Sequence, residues 1–408
     1  MKDDPIRIAL LTCTSGSIGG ADRDWINLAN AFEPQEAELI WVGTNGTEVI
    51  RPHVRSDVVK YLIDAHYPLF LYLIQEDAFR PRSSWLWAKI ITDHLLRLTK
   101  PSLKLSRLLR SYNVDLVVSN TAMVTAGAIV SQILGKPHIW SIRECLETSR
   151  RPCRYLCQLI ELFSHSITVP SLAAGKSFCQ AEVVVDGSSV SSIRTAAQHY
   201  SRHEFCRAMG LQETLPIVAQ VSGVSWWKGH HITADAIAAL AKEYTTSPCS
   251  FLFLGPTRAD SDYGRELQRK IKALPDHWQR AVRFHQFSSG DLSAVAAADI
   301  VVHPSILPDP LPNSVREAMT LGKPVIGSNS GGIPEMIVDG QSGLLFEPGN
   351  ASELAISIQK MIESPDERRR LGENAARRAE ELFDVRHNKQ AFLHLFHAVV
   401  SRHAERCE

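Results

Sequence analysis

The sequence has no excess of charge of either sign: 44 Lys and Arg stand against 44 Asp and Glu in 408 residues. Nucleic-acid binders normally carry a basic excess, so the balance gives that class no support. Long hydrophobic runs are missing too, with nothing near the ~18 consecutive apolar residues that cross a bilayer. Met1-Lys2-Asp3-Asp4-Pro5 leads into a strand pattern at Ile6 without the apolar core of a secretory signal. Cysteine is sparse: eight residues, scattered, with no Cys-x-x-Cys and with Cys153 and Cys157 the closest pair. That spacing suits neither a zinc cluster nor a disulfide framework and implies free thiols in a reducing cytoplasm. No solenoid repeat or low-complexity tract is present.

What the sequence does have is a twofold alternation of short β-branched runs with longer helical stretches. The first half offers Ile6–Thr12, Glu38–Gly43, Asp115–Ser119, His138–Ile142, Ile167–Ser171 and Glu182–Asp186 as strands. The second half offers Pro216–Ser222, Ser250–Gly255, Ala281–Phe287, Asp299–Ser305, Pro324–Ser328 and Gly343–Glu347. These are continuous apolar runs, as in parallel strands covered on both faces. Strand–helix alternation on this scale predicts two doubly wound α/β domains. Their seam is expected in the polar stretch Ser191–Leu215, giving domains of residues 1–197 and 198–385, with a C-terminal helix, 386–408, packing back on the first. Ligands of such sheets bind at the carboxyl ends of the strands. A cleft between two such domains is the default active site.

Chemistry concentrates in His303–Pro348. Asp309 and Glu317 are separated by seven intervening residues, and the chain between them passes from a Pro-rich loop into a helix. Pro310 and Pro312 exclude a helix before Asn313, Asn313 or Ser314 can cap it, and Gly322 ends it. The amides of Leu311, Asn313, Ser314 and Val315 then point out of a helix start, a ready anion site. Two ionised carboxylates beside it are strong acceptors for sugar hydroxyls. On their own they are equally compatible with acids placed to suit the helix dipole. Three further pieces fall at strand ends. Lys228-Gly229 follows Pro216–Ser222, where the ammonium can meet a diphosphate or be merely solvated. Trp226 and Trp227 beside it suit packing or a ring platform. Gly16, Gly19 and Gly20 lie in the loop after the first strand, which permits close backbone approach to a ligand or makes a plain turn. Gly331–Glu335 follows Pro324–Ser328.

Together these pieces resemble family 4 of the glycosyltransferases, the retaining enzymes of the GT-B fold (group 1). The resemblance rests on Lys228-Gly229, on Asp309 and Glu317 with the following Ala318-Met319, on Gly322-Lys323-Pro324-Val325, on Gly331–Glu335 and on the Asp339–Gly343 echo. In the first half, Gly19-Gly20-Ala21-Asp22-Arg23 is similar to the family's Gly-Gly-Ala-Glu-Arg, and Arg143-Glu144 stands where the family has an acceptor-side His or Arg before Glu. The resemblance implies a GT-B architecture of two Rossmann-like domains facing a central cleft, and transfer of a sugar from a nucleotide-diphosphate sugar to a hydroxyl. It implies that Glu317 holds ribose hydroxyls, Asp309 touches the transferred sugar, Lys228 neutralises the diphosphate, Gly19 and Gly20 approach donor and acceptor, and Arg143 and Glu144 line the acceptor side. Two departures are visible: the family's first acid is usually Glu, not Asp309, and its arginine five residues before the lysine is here Gly223. Arg offers a phosphate fork that Gly223 lacks.

No resident cofactor and no metal are expected. The two Asp-x-Asp triplets, Asp22–Asp24 and Asp260–Asp262, read as a helix start and a polar loop; His138, His285 and His303 read as packing histidines. Base choice is assigned to loops near Gly255-Pro256 and Phe287-Ser288-Ser289. The segment Ala78–Asn113 carries eight basic residues against Asp93, interleaved with Phe79, Trp85, Trp87 and many leucines. Such a helix suits an anionic membrane surface near a lipid-linked acceptor, or a core-facing helix with a solvated basic face. The expectation is a cytoplasmic enzyme, peripheral on the inner face of a membrane, that works in polysaccharide or glycoconjugate synthesis on a glycan or lipid-linked acceptor. The rivals are a non-catalytic nucleotide-sugar binder, a nucleotide-sugar epimerase and a phosphorylase; a dehydrogenase is more distant, because the glycine loop lacks the dinucleotide fingerprint.

Overall fold

The computed structural model describes residues 4–70, 84–148, 151–255, 261–286 and 291–407. The chain divides into two units, Met1–Ser188 with Val385–Glu408, and Ser189–Asp384.

In the first unit seven parallel strands pair in the order β3-β2-β1-β4-β5-β6-β7. They are β1 (Ile6–Leu11), β2 (Ala37–Gly43), β3 (Val59–Asp64), β4 (Leu116–Asn120), β5 (His138–Ser141), β6 (Ser166–Val169) and β7 (Glu182–Val183). Registers such as Ile8↔Leu39 and Leu10↔Val118 bury both faces of the central strands. One face is covered by the helices Ser84–Arg110, Ala126–Leu134 and Arg151–Phe163. The other is covered by Gly20–Ala31 and the C-terminal helix Val385–Cys407. There Trp25 meets Phe392 at 5.4 Å between ring centroids, Phe32 meets Phe396 at 6.3 Å, and the Lys389 ammonium lies 3.0 Å from the Glu36 carboxylate. β3 has no counterpart among the expected strands. It is an edge strand whose side chains are mostly at least partly exposed, so it lacks the apolar run that marks a doubly covered strand.

The second unit repeats the plan with six parallel strands in the order β10-β9-β8-β11-β12-β13. They are β8 (Ile217–Val221), β9 (Ser250–Leu254), β10 (Val282–His285), β11 (Ile300–His303), β12 (Val325–Ser328) and β13 (Leu344–Phe346). His230–Glu243, Asp262–Lys272 and Ala351–Glu363 pack over one face around Phe251, Phe253 and Trp278. The division falls nine residues before the expected domain boundary at 197/198. The reason is Val190–Gln198, a helix held to the second unit by Arg194, which donates to the Thr320 carbonyl at 3.1 Å and pairs with Glu380.

Among the described residues no helix is long and apolar enough to cross a membrane. Phe79, Arg80, Arg82, Pro256, Asp260 and Phe287-Ser288-Ser289 lie outside the described residues, as do the side chains of Trp85 and Trp87.

Candidate functional site

The strand order of the second unit reverses between β8 and β11, and reversal opens a ligand crevice at the carboxyl ends of the two strands. The chain leaving β8 makes a single 3-10 turn, Trp226–Lys228. Gly229 then takes φ +70°, and a Cβ there would stand 1.9 Å from the Pro304 carbonyl oxygen. Only glycine lets the loop after β8 press against the loop after β11 here. The Lys228 carbonyl accepts from Gln220 at 2.9 Å, and Gln220 accepts in turn from Thr233 at 2.7 Å. This fixes the backbone from which Lys228 reaches across to Asp309. The ammonium pairs with the Asp309 carboxylate and sits 4.0 Å over the Trp227 ring. Trp226 and Trp227 are both exposed, and Trp226 stacks on His231.

Asp309 is buried, and both of its side-chain bonds end on Oδ2. One partner is Lys228; the other is His303, whose Nε2 lies 3.1 Å away. The same nitrogen is 3.0 Å from Ser305 Oγ, while Nδ1 is 3.3 Å from Ser314 Oγ. Burial pushes the Asp309 carboxyl upward, but the Lys228 charge and the His303 hydrogen bond outweigh it and hold the group well below the carboxylate range. Burial pushes His303 below its ordinary value despite Asp309. The ring is therefore neutral at pH 7, with its proton on the nitrogen that faces the carboxylate and Nδ1 accepting from Ser314. Read in the sequence as a packing histidine, His303 instead holds the first acid in place. The available signal was its position, the last residue of β11 at the entry to the Pro-rich loop.

Gly331 and Gly332 brace Asp309 from the other side. Gly331 has φ +62°, a Cβ there would come within 2.3 Å of the Asp309 carbonyl oxygen, and the Gly332 amide donates to that oxygen at 2.8 Å. The glycine pair after β12 thus fixes the Asp309 backbone.

The helix runs Asn313–Thr320 with Pro312 as its N-cap, which corrects the expected cap at Asn313 or Ser314. Those two side chains are engaged elsewhere: Asn313 Oδ1 accepts from Arg316, and Ser314 faces the His303 ring. The Val315 amide donates to the Pro312 carbonyl at 3.1 Å and so leaves the expected anion set. Leu311, Asn313 and Ser314 remain at the head of the helix. Glu317 is buried one turn farther on, and Gly322 at φ +68° follows the helix end. The Asp339–Gly343 echo is a turn: Asp339 Oδ1 accepts from the Leu345 amide at 2.8 Å, and the Gly340 amide donates to the Gly343 carbonyl. Gly223 lies against the next loop, where a Cβ on Gly255 would stand 3.0 Å from its Cα.

The first unit has its own reversal, between β1 and β4. Gly19 caps Gly20–Ala31, and its amide donates to Asp22 Oδ2 at 3.2 Å. Burial raises the Asp22 carboxyl to about 6, while Oδ1 is buried without a hydrogen-bond partner. Glu144 Oε2 accepts from the Ala122 and Arg143 amides, each at 3.0 Å, and burial pushes this carboxyl up. The Arg143 guanidinium is committed to Asp186 in a buried pair. Arg143 and Glu144 thus share a backbone link, but the arginine charge is directed at Asp186. Among the described residues no group of three or more His, Cys, Asp or Glu side chains is arranged to hold a metal.

Comparison with known proteins shows what the chain is similar to. Residues 201–378, within the second unit, match the family described as glycosyl transferases group 1. An uncharacterized glycosyltransferase of Methanocaldococcus jannaschii, MJ1069, is 28% identical over 142 residues, 34% of this chain and 36% of that protein. The glycogen synthase of Mycobacterium tuberculosis is 30% identical over 166 residues, 40% of this chain and 38% of its own. The chain thus spans less than two fifths of the length of these relatives. Among solved structures, Anabaena Alr3699/HepE in complex with UDP-glucose superposes with a TM-score of 0.75 at 22% identity, over 96% of this chain and 99% of that one. The fold is therefore the α/β GT-B architecture, two Rossmann-like units in one chain.

Proposed function

We propose that this chain, whose residues 201–378 match the group 1 glycosyl transferases, moves a sugar from a nucleotide-diphosphate sugar to a hydroxyl acceptor with retention of anomeric configuration. The observation that carries the reading is the meeting of Lys228 and Asp309 at the reversal point of the second sheet, beside the start of Asn313–Thr320. An ammonium has three donors. One reaches Asp309, leaving two to serve diphosphate oxygens. The amides of Leu311, Asn313 and Ser314 supply further positive potential for the same anion. Asp309 Oδ2 is engaged by Lys228 and His303, so Oδ1 is the oxygen offered to a hydroxyl of the transferred sugar. Glu317, farther along the helix, takes the ribose hydroxyls.

A nucleoside diphosphate is a good leaving group, so the protein's work is electrostatic: it stabilises charge that builds on the departing phosphate. Neither metal nor resident cofactor is required. In the retaining course the acceptor attacks on the face the diphosphate leaves, and a leaving phosphate oxygen takes the acceptor proton. Gly19 and Gly20 offer backbone to the reacting sugars, and Glu144 lines the acceptor side. Arg143 contributes by position, holding Glu144 through its amide and Asp186 through its side chain. The acceptor is a glycan or lipid-linked glycan, and the enzyme is cytoplasmic and peripheral to an anionic membrane through Ser84–Arg110.

The experiment is a screen of UDP-, GDP-, ADP-, CDP- and TDP-sugars for thermal stabilisation and slow sugar release, with and without EDTA. Stabilisation by one nucleotide family with EDTA-insensitive release is expected. Stabilisation without release under every acceptor supplied would favour a binding-only protein, for which Gly223 in place of an arginine is the motivating departure. No stabilisation at all would remove the reading.

A further inference from the structure

Away from the two strand-end sites, the first unit contains a cavity of about 260 Å³ among the helices Ser84–Arg110, Ala126–Leu134 and Arg151–Phe163. Its walls are almost wholly apolar, formed by side chains such as Phe70, Ile91, Ala128, Trp140, Leu156 and Leu159. Two polar contacts are made within the wall. His94 Nε2 lies 2.8 Å from Thr125 Oγ1, and Trp140 Nε1 donates to the Thr121 carbonyl at 2.8 Å. Burial pushes His94 down to about 4, so the ring brings no charge at neutral pH. An apolar cavity of this kind forfeits dispersion contacts unless something apolar fills it.

Its surroundings identify the occupant. Leu95, Tyr155 and Phe163 line the cavity and are also exposed to solvent. Beside them Leu96 and Leu162 are 67% and 73% exposed, and Leu103, two turns on from Leu96, continues the apolar surface along Ser84–Arg110. Of the 14 exposed large apolar side chains among the described residues, seven lie on these two helices. A patch of this kind marks an interaction surface. Ser84–Arg110 also carries Lys89, Arg97, Lys100, Lys104, Arg107 and Arg110, with Asp93 its single acid. Exposed leucines set among cations on one helix are the pattern of an interfacial helix, whose apolar groups enter the acyl boundary while the cations meet headgroup phosphates.

We propose that this face docks on a bilayer bearing anionic lipid headgroups and that the cavity seats one hydrocarbon chain of such a lipid. The proposal rests on the peripheral-membrane part of the reading above and adds a binding site to it. A second copy of the chain would bring Arg97, Lys100, Lys104 and Arg107 against their own kind, whereas anionic headgroups balance them.

The test uses the full chain with phosphatidylcholine vesicles that contain or lack phosphatidylglycerol, and with lipids brominated along the acyl chain as contact quenchers of tryptophan emission. The expected result is more than about tenfold preference for the anionic vesicles. Brominated chains should quench emission, and the quenched fraction should fall in Trp140→Phe. Ala128→Phe, which fills the cavity, should also lower the quenching. Leu96→Asp and Leu162→Asp, on exposed sites that do not threaten folding, should abolish vesicle binding. Three results would overturn the proposal. Anionic binding without Trp140-dependent quenching would remove the cavity ligand and leave the membrane reading standing. No binding to either vesicle would remove both, while sugar release in solution still tests the transferase reading separately. A vesicle-independent dimer dispersed by Leu96→Asp would assign the face to a second copy.

Discussion

Asp309 is held by a cation on one side and a neutral ring on the other, and the two partners make different predictions. Lys228 supplies the charge that keeps the buried carboxylate ionised. Removing one partner of a buried pair leaves the other uncompensated and costs on the order of 3–5 kcal/mol. Lys228→Ala should therefore lower the thermal midpoint as well as donor affinity. Lys228→Ala together with Asp309→Asn should recover much of the stability and none of the affinity, which calorimetry and donor titration would separate. Asp22 behaves in the opposite sense. Its folded value, about 6, lies above the ordinary 3.8, so the folded state binds the proton more tightly than the unfolded chain. Stability linked to Asp22 is complete below pH ~4 and falls as pH rises toward 6. Asp22→Asn should then raise the midpoint at pH 7.5, with the gain disappearing near pH 4. An equal gain at both pH values would show that ionisation of Asp22 is not what destabilises the fold.

Elements explain what could be read in the sequence and what could not. The central strands were legible because each is a short apolar run buried on both faces, as in β8, β9, β11 and β12. β3 was not, because an edge strand does not carry that signature. The end of Asn313–Thr320 was legible from Gly322, but its start was not, because Asn313 and Ser314 gave their side chains to Arg316 and His303. Local capping propensity lost to the network around Asp309. The role of His303 was hidden for the same reason: five residues of Pro-rich loop separate it from the acid it contacts, and no local pattern encodes that return. The C-terminal helix makes its own prediction. Phe396 is fully buried against Phe32 and Phe392, so Phe396→Ala should cost about 3–5 kcal/mol. Urea unfolding would report it as a lower midpoint; a loss below about 1 kcal/mol would mean that the helix contributes little to the first core.

At the scale of the whole molecule, one plan is used twice. Each unit is a parallel sheet whose order reverses beside its first strand, and each places glycine-bearing loops at the reversal. The second unit binds charge to charge there, Lys228 to Asp309, while the first gathers the buried carboxyls Asp22 and Glu144. Balanced net charge over 408 residues conceals a local excess on Ser84–Arg110. Two sheets and their approximate strands were legible in the sequence because each depends on chain-local pattern, and Lys228 and Asp309, which the structure pairs, each stand in a local motif. The boundary at Ser188 was not, because Arg194 settles it through contacts more than a hundred residues away.

The central claim is that the second unit binds a nucleotide-diphosphate sugar through Lys228, the head of Asn313–Thr320 and Glu317. The most direct measurement is calorimetric titration of the nucleotide that stabilises the wild type, and of its sugar conjugate, into wild type and Glu317→Ala. Loss of hydrogen bonds to a charged partner is worth about 1.5–3 kcal/mol, so affinity for both ligands should fall by roughly tenfold to a hundredfold in the variant, with its fold intact by circular dichroism. Unchanged affinity in Glu317→Ala would contradict the account and place the nucleotide elsewhere in the molecule.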